Sequence, residues 1–240
     1  SGLKESPADP ATYSSSGIYQ FNATWTDNLG VDNVILSFNG VNYSFSAGEL
    51  TKNGDEYYRD FSSLGAGAHS YRWYANDTSG NLVATTVQSY TVDKGIAALF
   101  LTMSPSSSIS YGTSSEVTCT PNNAESSPVL TRNSVSVSNP DINLFGANTY
   151  SYACISASTG NYTSASATGT LTVSKASPTI SLLLDGVDSD KSATTGATVN
   201  ITAKLTSPIS GILNLTENSV LINSGAATLE NITVYSSVGT

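Results

Sequence analysis

Histidine, cysteine and methionine are scarce in this sequence of 240 residues, which has one His, two Cys and one Met. His69 is far along the chain from both Cys119 and Cys154, and no G-x-S-x-G segment occurs. A nucleophile and its base therefore cannot be assigned. Two cysteines and one distant histidine also cannot complete a zinc site. We expect no enzymatic activity, no catalytic or metal-binding residue and no cofactor.

Charge is also scarce, and most of it is negative. Charged residues make up 11% of the chain, the formal net charge is -9 and the pI is near 4.3. Proteins that bind nucleic acid neutralise phosphates with clustered Lys and Arg, and this chain has nine of these residues in total. We expect no nucleic-acid partner.

Long apolar runs and helical patterns are missing as well. A membrane-spanning helix needs about 20 apolar residues. The longest apolar stretch here, IAALFLTM at 96–103, is eight residues long. That stretch fits a strand. Helix-forming residues never recur at the spacing of a helical face. We therefore expect little helix and no membrane span in this chain.

Two-residue alternation is what the sequence does have. TYSYACISA (149–157) places Tyr150, Tyr152 and Cys154 on one face of a strand, because successive side chains point to opposite faces. SFNGVNYSF (37–45) has Asn-Gly between two alternating runs, which is a strong hairpin signal. Such segments recur between turns along the chain and predict an all-β fold of tandem sandwich modules.

Internal repeats divide the chain. TWTDN (24–28) aligns with TCTPN (118–122), which pairs Trp25 with Cys119, and AGAHSYRW (66–73) aligns with ANTYSYAC (147–154), which pairs Trp73 with Cys154. A third copy shows in TENSV (216–220), which matches TRNSV (131–135), and in Ala203 at the position of Cys119. Cys119 follows Trp25 by 94 positions and Ala203 follows Cys119 by 84, which are module lengths typical of immunoglobulin-like (Ig-like) domains.

Two similar junctions set the module boundaries. They are TVDKG (91–95) and TVSKASP (172–178). We predict Ig-like modules at residues 1–93 and 94–175, and a partial module at 176–240.

The chain resembles immunoglobulin-like sandwiches through Y-x-C on a late strand and EVTC (116–119) on an earlier one. YRWYANDTSGN, NYTSASATGTLTV and the paired junctions resemble the tandem Ig-like repeats of prokaryotic, especially archaeal, cell-surface proteins. The strand around PVLTRN (128–133) has no tryptophan, unlike antibody domains.

The resemblance implies roles for several residues in the second module. From the residues alone, Cys119 and Cys154 could form a bridge, a metal pair or reactive thiols; we adopt the bridge between sheets, which implies an oxidising, extracellular setting. Tyr152 falls at the tyrosine corner of the family, whose hydroxyl caps a nearby backbone group, and Tyr71 is its counterpart in the first module.

The first module has tryptophans where the second has its cysteines. Tyr19, Phe21, Ala23 and Trp25 lie on one strand face, and Tyr71, Trp73 and Ala75 lie on another. Two facing aromatic strands would form the core of a sandwich. We therefore predict that Trp25 and Trp73 pack together as an aromatic pair.

Seven Asn-x-Ser/Thr sequons could accept N-linked glycans. They are at Asn22, Asn42, Asn76, Asn161, Asn200, Asn214 and Asn231. The alternation places five of them (Asn22, Asn42, Asn200, Asn214 and Asn231) on outward phases, so we expect their amides to be exposed. Whether they carry glycans or are plain polar surface is open at this stage.

Two acidic groups invite a calcium interpretation, namely DGVDSD (185–190) and Asp27 with Asp32 and Asp77. Calcium needs six to eight converging oxygens, and neither group has the spacing of an EF-hand loop. We interpret both as solvated turns.

The third module is expected to be incomplete. In the second module Cys154 follows Asn133 by 21 positions, and the same spacing from Asn218 reaches Gly239. The tail 238–240 would then match the turn before the Tyr-rich strand, so the last two strands would be missing. Following residues of a longer chain, or a strand from another subunit, could supply them.

Short linkers between sandwiches favour a structural function. We expect an extracellular, glycosylated string of Ig-like modules in a surface layer, stalk or filament, which associates with other copies or with neighbouring surface proteins. The alternative is an adhesin or carbohydrate-binding surface protein in which a loop end recognises a ligand. Exposed tyrosines could serve that purpose by stacking on sugars.

Overall fold

A computed structural model describes residues 2–207 and 211–237. These residues form strands, turns and loops without an α-helix, as the all-β prediction requires. In the same ranges no helix is long and apolar enough to cross a membrane. The strands group into three Ig-like arrangements, which are called the first, second and third sandwich below.

The first sandwich has two sheets. Its strands are β1 (Gly2–Ser6), β2 (Ala11–Thr12), β3 (Ile18–Thr24), β4 (Val31–Phe38), β5 (Val41–Ser44), β6 (Thr51–Asn53), β7 (Glu56–Ser62), β8 (Gly67–Asp77), β9 (Leu82–Ala84) and β10 (Gln88–Asp93). One sheet has the order β1-β3-β7-β6. The other has the order β2-β10-β8-β4-β5, with β9 on β8.

Aromatic rings fill the core between these sheets. The ring of Phe21 lies 5.0 Å from that of Phe38, 5.0 Å from that of Tyr71 and 4.9 Å from that of Tyr90, centroid to centroid. It also lies 5.8 Å from Phe61. The alternation of β3 and β8 predicted this arrangement, because it places every second residue inward.

The second sandwich repeats this plan with fewer strands. They are β11 (Leu99–Ser104), β12 (Ser108–Ser110), β13 (Ser114–Pro121), β14 (Val129–Arg132), β15 (Val135–Ser136), β16 (Asp141–Leu144), β17 (Asn148–Ser156) and β18 (Ala165–Ser174). The sheet orders are β11-β13-β16 and β12-β18-β17-β14-β15. As in the first sandwich, a short early strand runs parallel to the last one.

The third sandwich has a sheet of three strands and a sheet of two. The strands are β19 (Thr179–Leu184), β20 (Thr198–Ser207), β21 (Ile212–Glu217), β22 (Val220–Ala226) and β23 (Thr228–Val234). Their orders are β19-β20-β23 and β21-β22. Buried apolar residues between the sheets include Val199, Ala203, Leu213 and Leu215. The predicted turn at 238–240 lies outside the described residues.

The same hairpin turn recurs in all three sandwiches. Its first residue is Asn39, Asn133 or Asn218, with φ of 49°, 49° and 48°, and the following residue also has positive φ. Two positive φ values define the tight turn that matches the twist of paired strands. The hairpin predicted at Asn39-Gly40 is confirmed, and TRNSV and TENSV are structurally equivalent.

The chain divides into two compact units. One contains residues 1–102, 117–141 and 151–169, and the other contains 103–116, 142–150 and 170–240. The first unit thus combines the first sandwich with part of the second. The division into modules at 1–93, 94–175 and 176–240 stays a prediction.

Candidate functional site: a joint between two sandwiches

Cys119 and Cys154 are joined by a disulfide in the second sandwich, across 35 positions of sequence. Both are buried. The side-chain amide of Asn139 holds the backbone at Cys119 from both sides: it accepts from the Cys119 N–H at 2.9 Å and donates to the Cys119 carbonyl at 2.7 Å. The bridge therefore lies at a point where the backbone is already fixed.

Trp25 and Trp73 are both buried in the core cluster of the first sandwich. Among the residues that the structure describes, their indole N–H groups have no hydrogen-bond partner, so the two rings are held by packing. A direct contact between the two rings stays a prediction.

The predicted role of Tyr152 and Tyr71 in capping backbone groups is wrong. The Tyr152 hydroxyl donates to the Asp141 carboxylate at 2.7 Å, and the Tyr71 hydroxyl donates to the carboxylate of Glu5. Burial, reinforced by Asp141, raises the pKa of Tyr152 to about 12. Arg132 also contacts Asp141 at 2.7 Å, which compensates the buried charge.

Backbone capping is carried out two residues earlier in each strand. The Tyr150 hydroxyl donates to the Gly146 carbonyl at 3.0 Å. At the aligned position, His69 Nε2 lies 2.8 Å from the Gly65 carbonyl and must donate to it. The sequence resemblance placed the corner at the tyrosine two residues before the cysteine, whereas the structure has the backbone-capping side chain two residues earlier on the same strand face.

The sequon asparagines differ in exposure. Asn42 and Asn214 are exposed, as their strand phase predicts. Asn22 is not: only 9% of its surface is accessible, because it lies among side chains of neighbouring strands and its amide donates to Glu56 at 3.0 Å. The prediction of an exposed Asn22 amide is therefore wrong.

Three further sequons are only partly exposed. Asn200 and Asn231 are half-buried, and Asn231 pairs across the sheet with the core residue Ile201, so its outward phase was misread. The Asn76 amide donates to Asp32 at 2.9 Å.

The acidic residues behave as turn-forming groups. Asp27 accepts from the N–H of Leu29 at 2.7 Å, and Asp77 accepts from the N–H of Asn81 at 2.8 Å. Within residues 2–207 and 211–237, no group of three or more His, Cys, Asp and Glu side chains is arranged to hold a metal.

The seventh sequon, Asn161, leads to the joint between the first and second sandwiches. The linker at 94–98 is bonded to the loop around Asn161: Gly95 N–H donates to the Asn161 carbonyl at 2.9 Å, and Thr163 N–H donates to the Gly95 carbonyl at 3.0 Å. The N–H of Ala97 adds a bond to the Thr163 hydroxyl at 3.2 Å. The linker is thus held as a short parallel bridge and not as a free tether.

The side chain of Asn161 connects the two sandwiches directly. Its amide oxygen accepts from the N–H of Ala66, in the first sandwich, at 2.8 Å. Its amide nitrogen donates to Glu125, in the second sandwich, at 2.8 Å. The other Glu125 oxygen accepts from the Thr159 hydroxyl at 2.8 Å. A glycan would replace one of the two hydrogens on this nitrogen, compete with Glu125 for space and crowd the joint.

Two tyrosines pack edge to face beside this network. The rings of Tyr13 and Tyr162 lie 5.4 Å apart at an angle of 87°, a favourable arrangement of aromatic quadrupoles. Gly95 is pressed between them: a Cβ there would lie 3.0 Å from the Tyr13 carbonyl oxygen and 3.0 Å from the Tyr162 ring. Any larger residue would require the Tyr13 backbone or the Tyr162 ring to shift by a few tenths of an ångström.

The electrostatics of the joint centre on Glu125. Hydrogen bonds from Asn161 and Thr159 lower the pKa of its carboxyl group. Burial and the nearby Glu125 charge raise the pKa of Tyr13. The joint is therefore fully formed when Glu125 is ionised and Tyr13 is neutral, which is the state near neutral pH.

Acidification is expected to loosen the joint. Because the joint lowers the pKa of Glu125, the carboxylate's contribution is complete above the value of a free Glu, about 4.3. It is lost as the pH falls through the lower value in the joint. We predict that the amide proton of Ala66, followed by NMR from pH 7 to pH 3, shifts upfield with a midpoint below about 4.3.

The second sandwich offers a matched control for this titration. Ser151 N–H is bonded to Asn133 Oδ1 at 2.9 Å, a similar bond with no carboxylate on the asparagine, and its proton should not follow the titration. In the Glu125→Gln variant, the chemical shift of the Ala66 amide proton should not change between pH 7 and pH 3. An Ala66 proton that titrates equally in this variant would contradict the prediction.

The joint was missed at the sequence level. The sequence shows only a sequon at Asn161 and no motif at Tyr13, Glu125 or Tyr162, because alternation indicates which face a residue occupies and not which module it contacts. The short linker was the one available sign.

Comparisons with known proteins find likenesses among solved structures alone. No protein-family model matches the chain, and no curated protein matches it. Solved structures that match include the fibronectin(III)-like modules of Clostridium thermocellum CbhA, at 12% identity and TM-score 0.31, over 72% of this chain and 95% of that one. A putative membrane anchored protein from Corynebacterium diphtheriae matches at 10% identity and TM-score 0.32, over 88% and 64%.

A third match is the ectodomain of mouse nectin-like molecule 4, at 14% identity and TM-score 0.33, over 72% of this chain and 64% of that one. At such identities and TM-scores no function is carried over. The strands and sheets described above make the chain an all-β protein built from Ig-like sandwiches.

Proposed function

We propose that this chain is a non-catalytic structural protein, a semi-rigid string of Ig-like modules in an extracellular surface layer, stalk or filament. The observation that carries this proposal is the joint. Residues of the second sandwich bond to the linker, and Asn161 also bonds to Ala66 of the first sandwich, so bending at Gly95 would break several contacts at once. A module string that must keep its shape needs stiffness of this kind, and a flexible tether would not supply it.

The disulfide supports the proposed extracellular setting. Bridges such as Cys119–Cys154 persist in oxidising compartments and are rare in reducing ones. We propose that glycans, where present, attach to Asn42 and Asn214, whose side chains are exposed. Asn161 stays unmodified because its amide nitrogen is needed in the joint. Self-association with other copies would continue the string.

The test of this function is the relative orientation of the first two sandwiches in solution. Residual dipolar couplings report that orientation directly. Couplings from both sandwiches that fit one alignment tensor support the proposal, and two independent tensors would overturn it.

A further inference from the structure

We propose that Asn53 is a site of slow, uncatalysed conversion to aspartate and isoaspartate, and that His69 protects Asn39 from the same reaction. Asn39-Gly40 and Asn53-Gly54 are the two Asn-Gly pairs of the sequence. The first joins β4 to β5 and the second joins β6 to β7, so both belong to hairpins of the first sandwich. The reaction goes beyond the proposed function, because it depends on these two turns and not on the stiffness of the joint.

The reaction needs an asparagine followed by an accessible backbone N–H. The nitrogen of the following residue loses its proton to hydroxide and attacks the side-chain carbon Cγ of the asparagine. The Cγ–Nδ2 bond breaks, ammonia leaves with a proton from water, and a five-membered succinimide ring remains. Water opens this ring at one of its two carbonyl carbons, which gives aspartate or isoaspartate. Glycine favours the attack because it has no side chain to hinder the approach.

Both turns meet this requirement. The two asparagines and the two glycines are exposed. Gly40 has φ of 81° and Gly54 has φ of 59°, and a Cβ built on either would have no other atom within 4 Å. Neither glycine N–H donates a hydrogen bond to another of the described residues. The two turns therefore differ little in the access that they give to the attacking nitrogen.

The side chain of Asn39 is held against the neighbouring strand. Its Oδ1 accepts the Ser70 N–H at 2.9 Å, and its Nδ2 lies 3.0 Å from His69 Nδ1. Because His69 Nε2 donates to the Gly65 carbonyl, Nδ1 of the neutral ring has the lone pair that accepts from Asn39. The His69 ring is itself fixed, since it stacks on the buried Phe38 with ring centroids 5.7 Å apart.

These two side-chain bonds, called the clamp below, oppose the reaction. They join both polar atoms of the Asn39 amide to β8, whereas the attacking atom would be the Gly40 nitrogen, next along the turn. Turning Cγ towards that nitrogen breaks the clamp, and this cost adds to the activation barrier. Asn39 is therefore expected to react only when the clamp opens.

Asn53 has no such clamp. It is exposed at the end of β6, and its side chain makes no hydrogen bond within residues 2–207 and 211–237. Its amide can therefore turn towards the Gly54 nitrogen without breaking a bond. The two Asn-Gly pairs thus differ in the restraint on the asparagine side chain.

The second sandwich supports the protective role of His69. Asn133 occupies the same turn as Asn39 and accepts the Ser151 N–H in the same way, but the residue that follows it is Ser134. Tyr150, at the position of His69, donates to a backbone carbonyl and not to the asparagine. Among the described residues, the additional bond from a histidine is thus present at the turn where glycine follows asparagine and missing where serine does.

Conversion at Asn53 is expected to weaken the pairing of β6 with β7. Asn53 lies directly opposite Glu56, so an aspartate there would place two carboxylates across the pair, and like charges in this position are destabilising. Isoaspartate would lengthen the backbone by one carbon and disturb the register. The modification would therefore act on an edge strand of the first sandwich.

The test incubates the full chain at mildly alkaline pH and follows both turns by peptide mass spectrometry after acidic proteolysis. Conversion is detected as the mass difference between an amide and a carboxylic acid. Asn53 should convert faster than Asn39 by about tenfold or more, the effect of two side-chain hydrogen bonds. Because both turns belong to one sandwich, global unfolding acts on both alike, and in denaturant their rates should become similar.

The His69→Tyr variant tests the clamp. It removes the acceptor for the Asn39 amide, while the tyrosine hydroxyl can still donate to the loop carbonyl as Tyr150 does in the second sandwich. Conversion at Asn39 should accelerate by about threefold to tenfold, the effect of one hydrogen bond. Asn53 should keep its wild-type rate. In an Asn53→Gln control the mass change at the end of β6 should disappear, because glutamine would have to close a larger ring.

Equal rates at Asn39 and Asn53 in the folded wild type would overturn the inference, as would a His69→Tyr variant in which Asn39 converts no faster. Equal acceleration of both sites in that variant would show more frequent unfolding of the sandwich and no specific protection by His69. All three outcomes leave the stiffness of the joint unaffected, because residual dipolar couplings test it separately.

Discussion

Replacing both Cys119 and Cys154 by alanine is expected to lower the free energy of unfolding of the second sandwich by about 3 to 4 kcal/mol. The bridge closes a loop of 35 positions, and opening it returns conformational freedom to the unfolded chain. Because both cysteines are buried, the smaller alanine side chains also leave unfilled space in the core.

Hydrogen exchange of amides in β13 and β17 as a function of denaturant measures this change. Both tryptophans lie in the first sandwich, so tryptophan fluorescence in the same samples reports that sandwich and serves as an internal control. A loss below about 1 kcal/mol in the second sandwich would mean that the bridge contributes far less than loop closure implies.

Trp73→Ala is expected to lower the free energy of unfolding of the first sandwich by about 3 to 5 kcal/mol. Trp73 is fully buried in a core that also contains Tyr19, Phe21 and Leu36. Its indole N–H has no partner within residues 2–207 and 211–237, so the loss comes from packing and not from a broken hydrogen bond of the side chain. Large aromatic side chains leave cavities that surrounding strands cannot close.

Urea unfolding followed by the remaining fluorescence of Trp25 measures the effect. Leu82→Ala, at an exposed position of β9, is the matched control and should change stability by less than about 0.5 kcal/mol. If Trp73→Ala were as mild as this control, the core assignment of β8 would be untenable.

Local pattern accounts for what could be predicted from the sequence. The inward residues of β3, β8 and β17 follow from strict alternation, and the turn at Asn39 follows from its Asn-Gly pair, because both depend on neighbours in the sequence. The match between TRNSV and TENSV was informative for the same reason: the turn needs two residues with positive φ.

Features that depend on neighbouring strands could not be predicted in this way. Asn22 has the outward phase that alternation requires, yet side chains from adjacent strands cover it, and one strand's sequence cannot show this. In β23 the apolar Ile232 follows Asn231 directly, so the sequence alone does not show which of the two faces the core. The outward phase predicted for Asn231 was therefore wrong. The acceptors of Tyr71 and Tyr152 come from distant segments, which a resemblance to a family cannot specify.

The joint is the clearest example of this limit. Its contacts join residues 66, 95, 125 and 161, which no periodic pattern connects. A sequon suggested a surface site at Asn161, while the structure uses both ends of the amide to hold two sandwiches. The chemistry of an asparagine is the same in both cases, and only the tertiary contacts decide between them.

The measurement that tests the central claim most directly is a set of residual dipolar couplings from the full chain in one alignment medium. Couplings from residues 2–93 and from residues 117–132 and 151–169 should fit a single alignment tensor. In Asn161→Ala the two sets should diverge, while Asn42→Ala, at an exposed sequon outside the joint, should behave as the wild type. Two tensors of different magnitude in the wild-type chain would contradict the account, because they would show that the first two sandwiches move independently.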